Sequence, residues 1–386
     1  MSTTRPSPLE CRDCGRTYPA GPDEPWRCTC GRPLDFTSRP LPTRDEVDVR
    51  PEDGLWTFSD FLPVDPHVTL GEGFSPLVSA RHATDHASVR STRASTAPGW
   101  DAEFKLDYTF PSGSFKDRGA TTTLSRAVEL GVERVVEDSS GNAGAAIAQY
   151  AARAGIDADI YVPADAKPSK LRAIEATGAN TITVQGDRQA VTDACIEAVE
   201  AGDAWYASHA WNPAFFAGTE TFAYEVACQR GWDVPDAVVS PLGHGTLFLG
   251  AFRGFQALKD AGWTDSVPRM LGVQAAGVAP IASETDDDSA ASASTDGRND
   301  VADGIQIRSP VRRDQLLDAI EATDGDAVAV GAESTEATHE ALGRAGFYVE
   351  PTSAIAVAGF ESYRERGVVE PAEDVVVALT GSGLKA

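Results

Sequence analysis

Helix and strand patterns alternate regularly after residue 116, and this alternation constrains the fold more than any other feature of the sequence. The patterns predict helices over 116–130, 142–154, 168–177 and 188–201, separated by strands at 134–137, 159–162 and 180–184. Strands joined through helices in this order favour a parallel sheet covered by helices. The sequence therefore predicts an α/β fold.

A second alternating region follows residues 205–213, where the pattern breaks. It predicts helices over 217–230, 246–261, 311–322, 334–345 and 352–366, and strands at 237–240, 270–273, 327–331, 348–349 and 375–379, with an earlier strand at 104–108. A chain of 386 residues also exceeds what one hydrophobic core usually serves.

We predict a small α/β domain over 116–211 and a large one formed by 41–115 and 212–386. Residues 41–60 are interpreted as a linker and residues 283–300 as a flexible acidic loop.

The chain carries a formal net charge of −25, and only 6 of its 33 basic residues are lysine. Such an excess of acid repels the phosphates of nucleic acids and anionic membrane surfaces, so we expect neither as a partner.

No apolar run of about 18 residues and no charged-then-apolar leader occurs, which favours an unexported, cytoplasmic protein. Arginine in place of lysine is typical of proteins from salt-loving organisms, where ionic strength screens self-repulsion. A homodimer is retained as a hypothesis.

Four of the six cysteines lie in the first 30 residues. Cys11 and Cys14 are separated by two residues and Cys28 and Cys30 by one, and a glycine follows each pair. In an unexported chain such a set favours metal binding over disulfides. The spacing resembles a zinc ribbon, with one residue fewer than usual in the second pair. We predict a zinc-ribbon-like segment over 1–40 that holds structural zinc; the alternative is a ribbon without metal.

Lys116 stands in the stretch Pro111-Ser-Gly-Ser-Phe-Lys-Asp-Arg118, where a turn rich in small residues runs into a predicted helix. A partly desolvated lysine keeps a neutral amine available for imine formation with an aldehyde. An aldehyde cofactor such as pyridoxal phosphate also needs a site for its phosphate and a partner for its ring nitrogen. Lys116 is therefore the candidate catalytic residue.

Three further stretches offer such partners. Ser139-Ser-Gly-Asn142 lies between a predicted strand and a predicted helix, where backbone amides suit a substrate carboxylate and Asn142 can donate to a ring oxygen. Pro241–Leu247 occupies a similar place, and its glycines allow a phosphate to approach the backbone closely. Near the C-terminus, Thr380 or Ser382 offers a hydroxyl to a ring nitrogen, the alternative being a plain strand-end turn.

Taken in order, these stretches resemble a known family. The motifs are LGEGFSPL at 70–77, PSGSFKDRGA at 111–120, SSGNAGAAIA at 139–148, PLGHGTL at 241–247, EPTSAIAVAG at 350–359 and LTGSGLK at 379–385. They are similar to the pyridoxal-phosphate enzymes of the tryptophan-synthase-β type (fold type II), and among these to the threonine synthases, many of which carry a cysteine-bearing ribbon. The resemblance implies two doubly wound α/β domains of that fold and an amino-acid substrate.

The resemblance also implies a role for each matching residue. Lys116 would be the lysine that binds pyridoxal phosphate, and Asn142 would bind its phenolic oxygen. The amides of five consecutive residues would hold the cofactor phosphate: Gly243, His244, Gly245, Thr246 and Leu247. Thr380, or as second choice Ser382, would contact the pyridine nitrogen. The substrate carboxylate would meet Ser139, Ser140 and Gly141.

One stretch departs from the family pattern. Threonine synthases usually follow an Asn-Pro dipeptide with an arginine that helps to bind the substrate phosphate, whereas Asn212-Pro213 is followed here by Ala214, Phe215 and Phe216. Losing an arginine removes a bidentate donor to phosphate. The expected activity is threonine synthesis from O-phosphohomoserine, with two alternatives: a threonine or serine dehydratase or other β-replacing enzyme, and a cofactor-binding regulatory protein.

Overall fold

The computed structural model describes residues 6–81, 99–202, 204–285 and 297–385. Most of the predicted acidic loop at 283–300 lies outside the described residues, so the interpretation of that loop stays a prediction.

The strands are β1 (Leu9–Glu10), β2 (Thr17–Tyr18), β3 (Asp35–Phe36), β4 (Leu77–Ser79), β5 (Glu103–Leu106), β6 (Arg134–Glu137), β7 (Asp157–Pro163), β8 (Asn180–Val184), β9 (Trp205–Tyr206), β10 (Ala237–Pro241), β11 (Arg269–Ala275), β12 (Asp326–Val330) and β13 (Val375–Leu379). The α-helices are α1 (Lys116–Leu130), α2 (Asn142–Ala154), α3 (Pro168–Glu175), α4 (Arg188–Glu200), α5 (Pro213–Gln229), α6 (Thr246–Asp260), α7 (Ala282–Thr285), α8 (Arg313–Ala322), α9 (Ala332–Arg344) and α10 (Pro351–Glu365). Short 3-10 helices lie at Pro51–Phe61, Asp107–Thr109, Asp303–Ile305 and Gly383–Lys385.

The predicted alternation of helices and strands is confirmed, with shifts of one or two residues at many ends and larger differences at three places. Helix α5 begins four residues before its predicted start, because Pro213 suits a first helical position and the Asn212 side chain accepts the Ala214 N–H at 2.9 Å. The strand predicted at 104–108 ends at Leu106, where a 3-10 turn begins. The strand predicted at 348–349 is only a single bridge between Val349 and Ser382.

The interpretation of residues 41–60 as a linker is wrong for its second half. Pro51–Phe61 forms a 3-10 helical segment that is interrupted at Gly54. Its side chains Leu55, Phe58 and Phe61 are fully buried, and Phe58 and Phe61 both contact the ring of Tyr224. Burying these large apolar groups outweighs the local preference of a proline- and acid-rich sequence for irregular structure.

One compact unit contains the residues up to Phe74, Phe110–Tyr224 and Asp260–Trp263. Its main sheet is parallel and has the strand order β8-β7-β6-β9. Helices α1 and α2 contribute Leu124 and Ile147 to a fully buried core that also includes Ile160 of β7. At the N-terminus, β1 pairs in antiparallel fashion with both β2 and β3, and this small sheet has a core of Leu9, Cys11, Cys28 and Leu34.

The second unit contains Ser75–Thr109, Glu225–Lys259 and the residues from Thr264 onward. Its sheet has the order β12-β11-β10-β13-β5-β4, in which every pair is parallel except β4 with β5. The consecutive valines of β10 and β13 are buried, as expected for central strands covered on both faces. The domain boundaries drawn from the sequence stay a prediction.

Within the described part of the chain, no helix combines the length and the apolar character needed to cross a membrane.

Candidate active site

Lys116 is the first residue of α1 and directly follows a tight turn. The Gly113 N–H donates to the Phe110 carbonyl at 2.8 Å and closes this turn. The Asp117 carboxylate accepts hydrogen bonds from both the backbone N–H, at 2.8 Å, and the hydroxyl of Ser112. Because these bonds lie on both sides of Lys116, they fix the direction in which its side chain leaves the backbone.

The side chain of Lys116 is half-buried and lies against aromatic rings. Its Nζ is 4.6 Å from the ring centroid of Phe115 and 5.6 Å from that of Phe215, in the first turn of α5. Phe215 is fully buried. Aromatic faces attract a cation but replace its water, so the amine is partly desolvated while part of the side chain stays accessible. These are the surroundings expected of an amine that reacts with an aldehyde.

The link between β6 and α2 contains Ser139, Ser140, Gly141 and Asn142, all of which are partly exposed. Asn142 is the first residue of the helix. Gly144 packs tightly under this link, since a Cβ at that position would lie 1.8 Å from the Ser139 carbonyl oxygen. The link therefore curls onto the first helical turn, and a helix start of this kind suits an anionic group such as a carboxylate.

Glu137 ends β6 just before this link, and it forms a buried pair with His209. The His209 Nδ1 lies 2.6 Å from one Glu137 carboxylate oxygen, and the His209 backbone N–H donates to the other at 3.2 Å. Loss of water and the neighbouring Asp138 raise the pKa of Glu137 well above its usual value, whereas the charge of Lys116 acts to lower it. The pair holds the segment before α5 against the end of β6. Glu137 also interacts electrostatically with Lys116.

In the second unit, the loop after β10 leads directly into α6, which begins at Thr246. Gly245 has a φ of +74°, and a Cβ at that position would lie 2.4 Å from a Leu316 methyl carbon. Only glycine suits both the backbone angle and the space. The loop thus brings bare backbone to a helix start, an arrangement that binds phosphate groups.

Thr380 directly follows β13 and is buried, as is Ser382. The Thr380 Oγ1 lies 3.1 Å from the Oγ of Ser353, in the first turn of α10. The Ser382 Oγ accepts the Leu384 N–H at 3.2 Å. Both candidate hydroxyls are therefore anchored by neighbours within the same unit.

The four N-terminal cysteines come together as the sequence predicts. Their sulfur atoms all lie within 4.8 Å of one another, with Cys11 3.6 Å from Cys30 and Cys14 3.5 Å from Cys28. Burial raises the pKa of Cys11 to about 12. The Cys30 N–H and the Tyr18 hydroxyl lower the pKa of Cys28 to about 6. Four sulfurs at these separations match the edges of a tetrahedral zinc–thiolate site.

The predicted site residues fall in both units. Lys116 and the 139–142 link belong to the first unit, and residues 243–247, Thr380 and Ser382 belong to the second. Sequence reasoning did not single out Glu137 or Ser353. Glu137 could have been found from its position at the end of the predicted strand, after two valines. A carboxylate buried at such a position needs a hydrogen-bonding partner.

Comparison with known proteins identifies the family. The model of a family described as pyridoxal-phosphate dependent enzyme matches residues 68–381. The chain belongs to that family. Its relatives include the threonine synthase of Methanocaldococcus jannaschii, which is 31% identical over 97% of this chain and 92% of the relative. The threonine synthase of Methanosarcina acetivorans is 32% identical over 86% of this chain and 80% of the relative. The threonine synthase of Mycobacterium tuberculosis is 31% identical over 85% of this chain and 87% of the relative.

Solved structures of other proteins have the same fold. Threonine deaminase isoform 2 of Solanum lycopersicum aligns with a TM-score of 0.61 at 22% identity, covering 80% of this chain and 84% of that one. O-acetyl serine sulfhydrylase isoform 3 of Entamoeba histolytica aligns with a TM-score of 0.63 at 19% identity, covering 81% of this chain and 87% of that one. At these identities the likeness shows the fold alone, and it confirms the predicted fold type II α/β architecture.

The cofactor of the family is pyridoxal phosphate, and residues of this chain suit it. Lys116 provides a partly exposed amine among aromatic rings. Gly245 lies just before the start of α6 and has no room for a side chain, so the backbone N–H groups there can contact a phosphate. The chain is therefore a pyridoxal-phosphate-dependent enzyme, and the alternative of a regulatory protein without turnover is not favoured.

Proposed function

We propose that this enzyme is a threonine synthase, which converts O-phosphohomoserine and water into threonine and phosphate. One observation carries the proposal: the similarity to the Methanocaldococcus jannaschii threonine synthase, at 31% identity, extends over 97% of this chain and 92% of the relative. A match of that extent includes the cysteine-bearing N-terminus as well as the enzyme motifs.

Each candidate residue has a role in this proposal. Lys116 carries the cofactor, and Asn142 binds its phenolic oxygen. The backbone of Gly243, His244, Gly245, Thr246 and Leu247 binds its phosphate. Thr380 contacts the pyridine nitrogen, with Ser382 as second choice. Ser139, Ser140 and Gly141 bind the substrate carboxylate, which the α2 helix start supports because its N–H groups favour an anion.

The reaction removes phosphate from Cγ and adds the hydroxyl of water at Cβ, so protons must leave Cα and Cβ, and protons must be delivered to Cγ and back to Cα. When bound, pyridoxal phosphate supplies an electron sink for negative charge at these carbons. Lys116 Nζ is the base and acid that moves the protons. The hydrogen bonds between Ser112 and Asp117 fix the backbone from which the Lys116 side chain extends, which keeps its amine in place. The Ser139–Gly141 backbone holds the carboxylate so that the Cα proton faces that amine.

The test is product formation by purified enzyme loaded with pyridoxal phosphate, at high salt. We expect equal amounts of phosphate and threonine from O-phosphohomoserine. Phosphate and threonine are measured separately, because phosphate alone would report elimination without addition of water. If neither product forms while threonine or serine yields a keto acid, the proposal is wrong.

A dehydratase is the second candidate, and one observation favours it. Asn212-Pro213 is followed by Ala214, Phe215 and Phe216, and the centroid of the Phe215 ring lies 5.6 Å from Lys116 Nζ. An apolar ring beside the reacting amine gives no bidentate donor to a substrate phosphate, whereas it suits a small, uncharged side chain. Keto-acid formation from threonine or serine, in the same preparation, separates the two candidates.

We also propose that Cys11, Cys14, Cys28 and Cys30 hold a structural zinc ion. The four sulfurs lie within 4.8 Å of one another, and a set of four thiolates leaves no open position for catalysis. The ribbon packs on the enzyme through Trp26, whose ring lies 5.4 Å from Tyr206 and 4.8 Å from Trp211. The zinc would therefore support the segment that carries His209.

Purified protein is expected to contain about one zinc ion per chain, and Cys28→Ser is expected to lose it, because three thiolates bind the metal much less tightly. Zinc content is measured by elemental mass spectrometry, and thermal unfolding is recorded with and without a chelator. Cys228→Ser is the matched control and should keep the metal. Wild-type protein without zinc after expression in zinc-supplemented medium would contradict the assignment.

We place the enzyme in the cytoplasm, where reducing conditions keep ribbon thiols available for metal. The charge of −25 further supports an enzyme that works at high ionic strength.

A further inference from the structure

We propose that Ser353 is a positioning residue that turns the hydroxyl of Thr380 into a hydrogen-bond donor toward the pyridine nitrogen. This inference rests on the proposed role of Thr380 in cofactor binding. It does not depend on which substrate the enzyme uses.

Ser353 is fully buried in the first turn of α10, and four polar groups surround its hydroxyl. The backbone N–H groups of Thr380 and Gly381 both donate to the Ser353 Oγ, at 2.7 Å and 2.6 Å. The Thr380 Oγ1 lies at 3.1 Å and the Gly381 carbonyl oxygen at 3.2 Å.

Counting donors and acceptors fixes the direction of the bond between the two hydroxyls. A serine oxygen accepts two hydrogen bonds and donates one. Both acceptor positions of Ser353 are taken by the N–H groups of Thr380 and Gly381, so it cannot also accept from the Thr380 hydroxyl. The single proton of Ser353 goes to Thr380 Oγ1 or to the Gly381 carbonyl, which already accepts the Glu350 N–H at 3.0 Å.

In either case the Thr380 proton is not donated to Ser353. The buried Thr380 hydroxyl therefore presents a donor to the group that binds beside it. A pyridine nitrogen that accepts this bond must lack a proton of its own. Ser353 thus acts on the cofactor without touching it: its oxygen accepts the Thr380 N–H at 2.7 Å and lies 3.1 Å from Thr380 Oγ1, so it fixes the position of the hydroxyl that donates to the ring nitrogen.

The experiment reads the ring nitrogen directly. Holoenzyme is loaded with pyridoxal phosphate labelled with nitrogen-15 in the ring, and the ring resonance is recorded. We expect the wild-type resonance at an unprotonated, hydrogen-bonded position. Thr380→Val should shift it toward the position of unprotonated pyridine without a donor. Ser353→Ala should shift it in the same direction, and Ser353→Thr should restore it.

The double variant separates positioning from mere support of the fold. If Ser353 acts through Thr380, adding Ser353→Ala to Thr380→Val produces no further shift. Additive shifts, or an unchanged resonance in Ser353→Ala, would overturn the proposal. So would a shift in Ser382→Ala but not in Thr380→Val. Should Ser353→Ala fail to hold the cofactor, Ser353→Cys, which has similar volume but weak hydrogen bonds, is measured with the same expectations.

These outcomes are independent of the proposed function. An enzyme that shows the expected shifts but releases no phosphate from O-phosphohomoserine would keep the role of Ser353 and lose the threonine synthase assignment.

Discussion

Replacing Lys116 with alanine is expected to lower turnover by about 10⁴-fold or more, because in the proposed mechanism this side chain both holds the cofactor and moves protons at the reacting carbons. The visible absorption that the cofactor shows when joined to a lysine should also disappear. Initial rates of phosphate release and the visible spectrum of the purified variant check both parts.

The matched control is Lys259→Ala, which removes an exposed lysine from the end of α6 and should keep wild-type rates and spectrum. Lys116→Arg keeps the positive charge near Phe115 and Phe215 but cannot form the covalent link, so it should fail like alanine. If the lysine-type absorption persists in Lys116→Ala without added amine, another residue carries the cofactor.

Replacing Lys105 with methionine is expected to lower the free energy of unfolding by about 3–5 kcal/mol, because it removes a fully buried positive charge that lies against the buried Glu225 carboxylate. Lys105 and Glu225 are both fully buried, and their charged atoms are 2.7 Å apart. The ammonium also donates to the Ser75 carbonyl at 2.7 Å and to the Gln229 side chain at 2.9 Å, which uses its three protons. Urea unfolding at constant high salt measures the loss.

Two comparisons test the cause of that loss. In Lys105→Met combined with Glu225→Gln, the buried charge is gone, so the double variant should be more stable than Lys105→Met alone. Arg344→Ala breaks a pair with Glu340 on an exposed face of α9 and should cost at most about 0.5 kcal/mol. A loss for Lys105→Met no larger than that of Arg344→Ala would show that the buried pair contributes little.

The sequence predicted the elements well wherever apolar spacing and neighbouring glycines agreed. The helix at 116–130 and the strand at 180–184 match residue for residue. The prediction failed at Pro51–Phe61, where local composition indicated a linker but burial of aromatic rings decides the structure. Local preference is a weak guide where tertiary contacts provide most of the stabilisation.

The candidate site was predictable where motifs were contiguous and unpredictable where partners are distant in sequence. Lys116, Asn142 and the 243–247 loop each lie in short motifs. The pairing of Glu137 with His209 joins residues 72 positions apart, and that of Ser353 with Thr380 joins residues 27 apart. Nothing in the local pattern marks which buried polar groups meet, because that depends on how strands and helices are arranged in the fold.

The close approach of Gly144 to the Ser139 carbonyl also bears on how this enzyme can change by mutation. The link and the helix meet there through backbone atoms, and the Ser139 hydroxyl also accepts the Gly141 N–H at 3.3 Å, so the path of the link depends on residues 139 and 144. If the proposed carboxylate site is right, a substitution at Ser140 changes a partly exposed side chain of that site while leaving the Ser139–Gly141 hydrogen bond in place. Position 144 has no such freedom, since any side chain would push the link away. Under the proposed function, position 140 is therefore the one of these three where sequence change is least constrained by the link, while residue 144 is restricted to glycine.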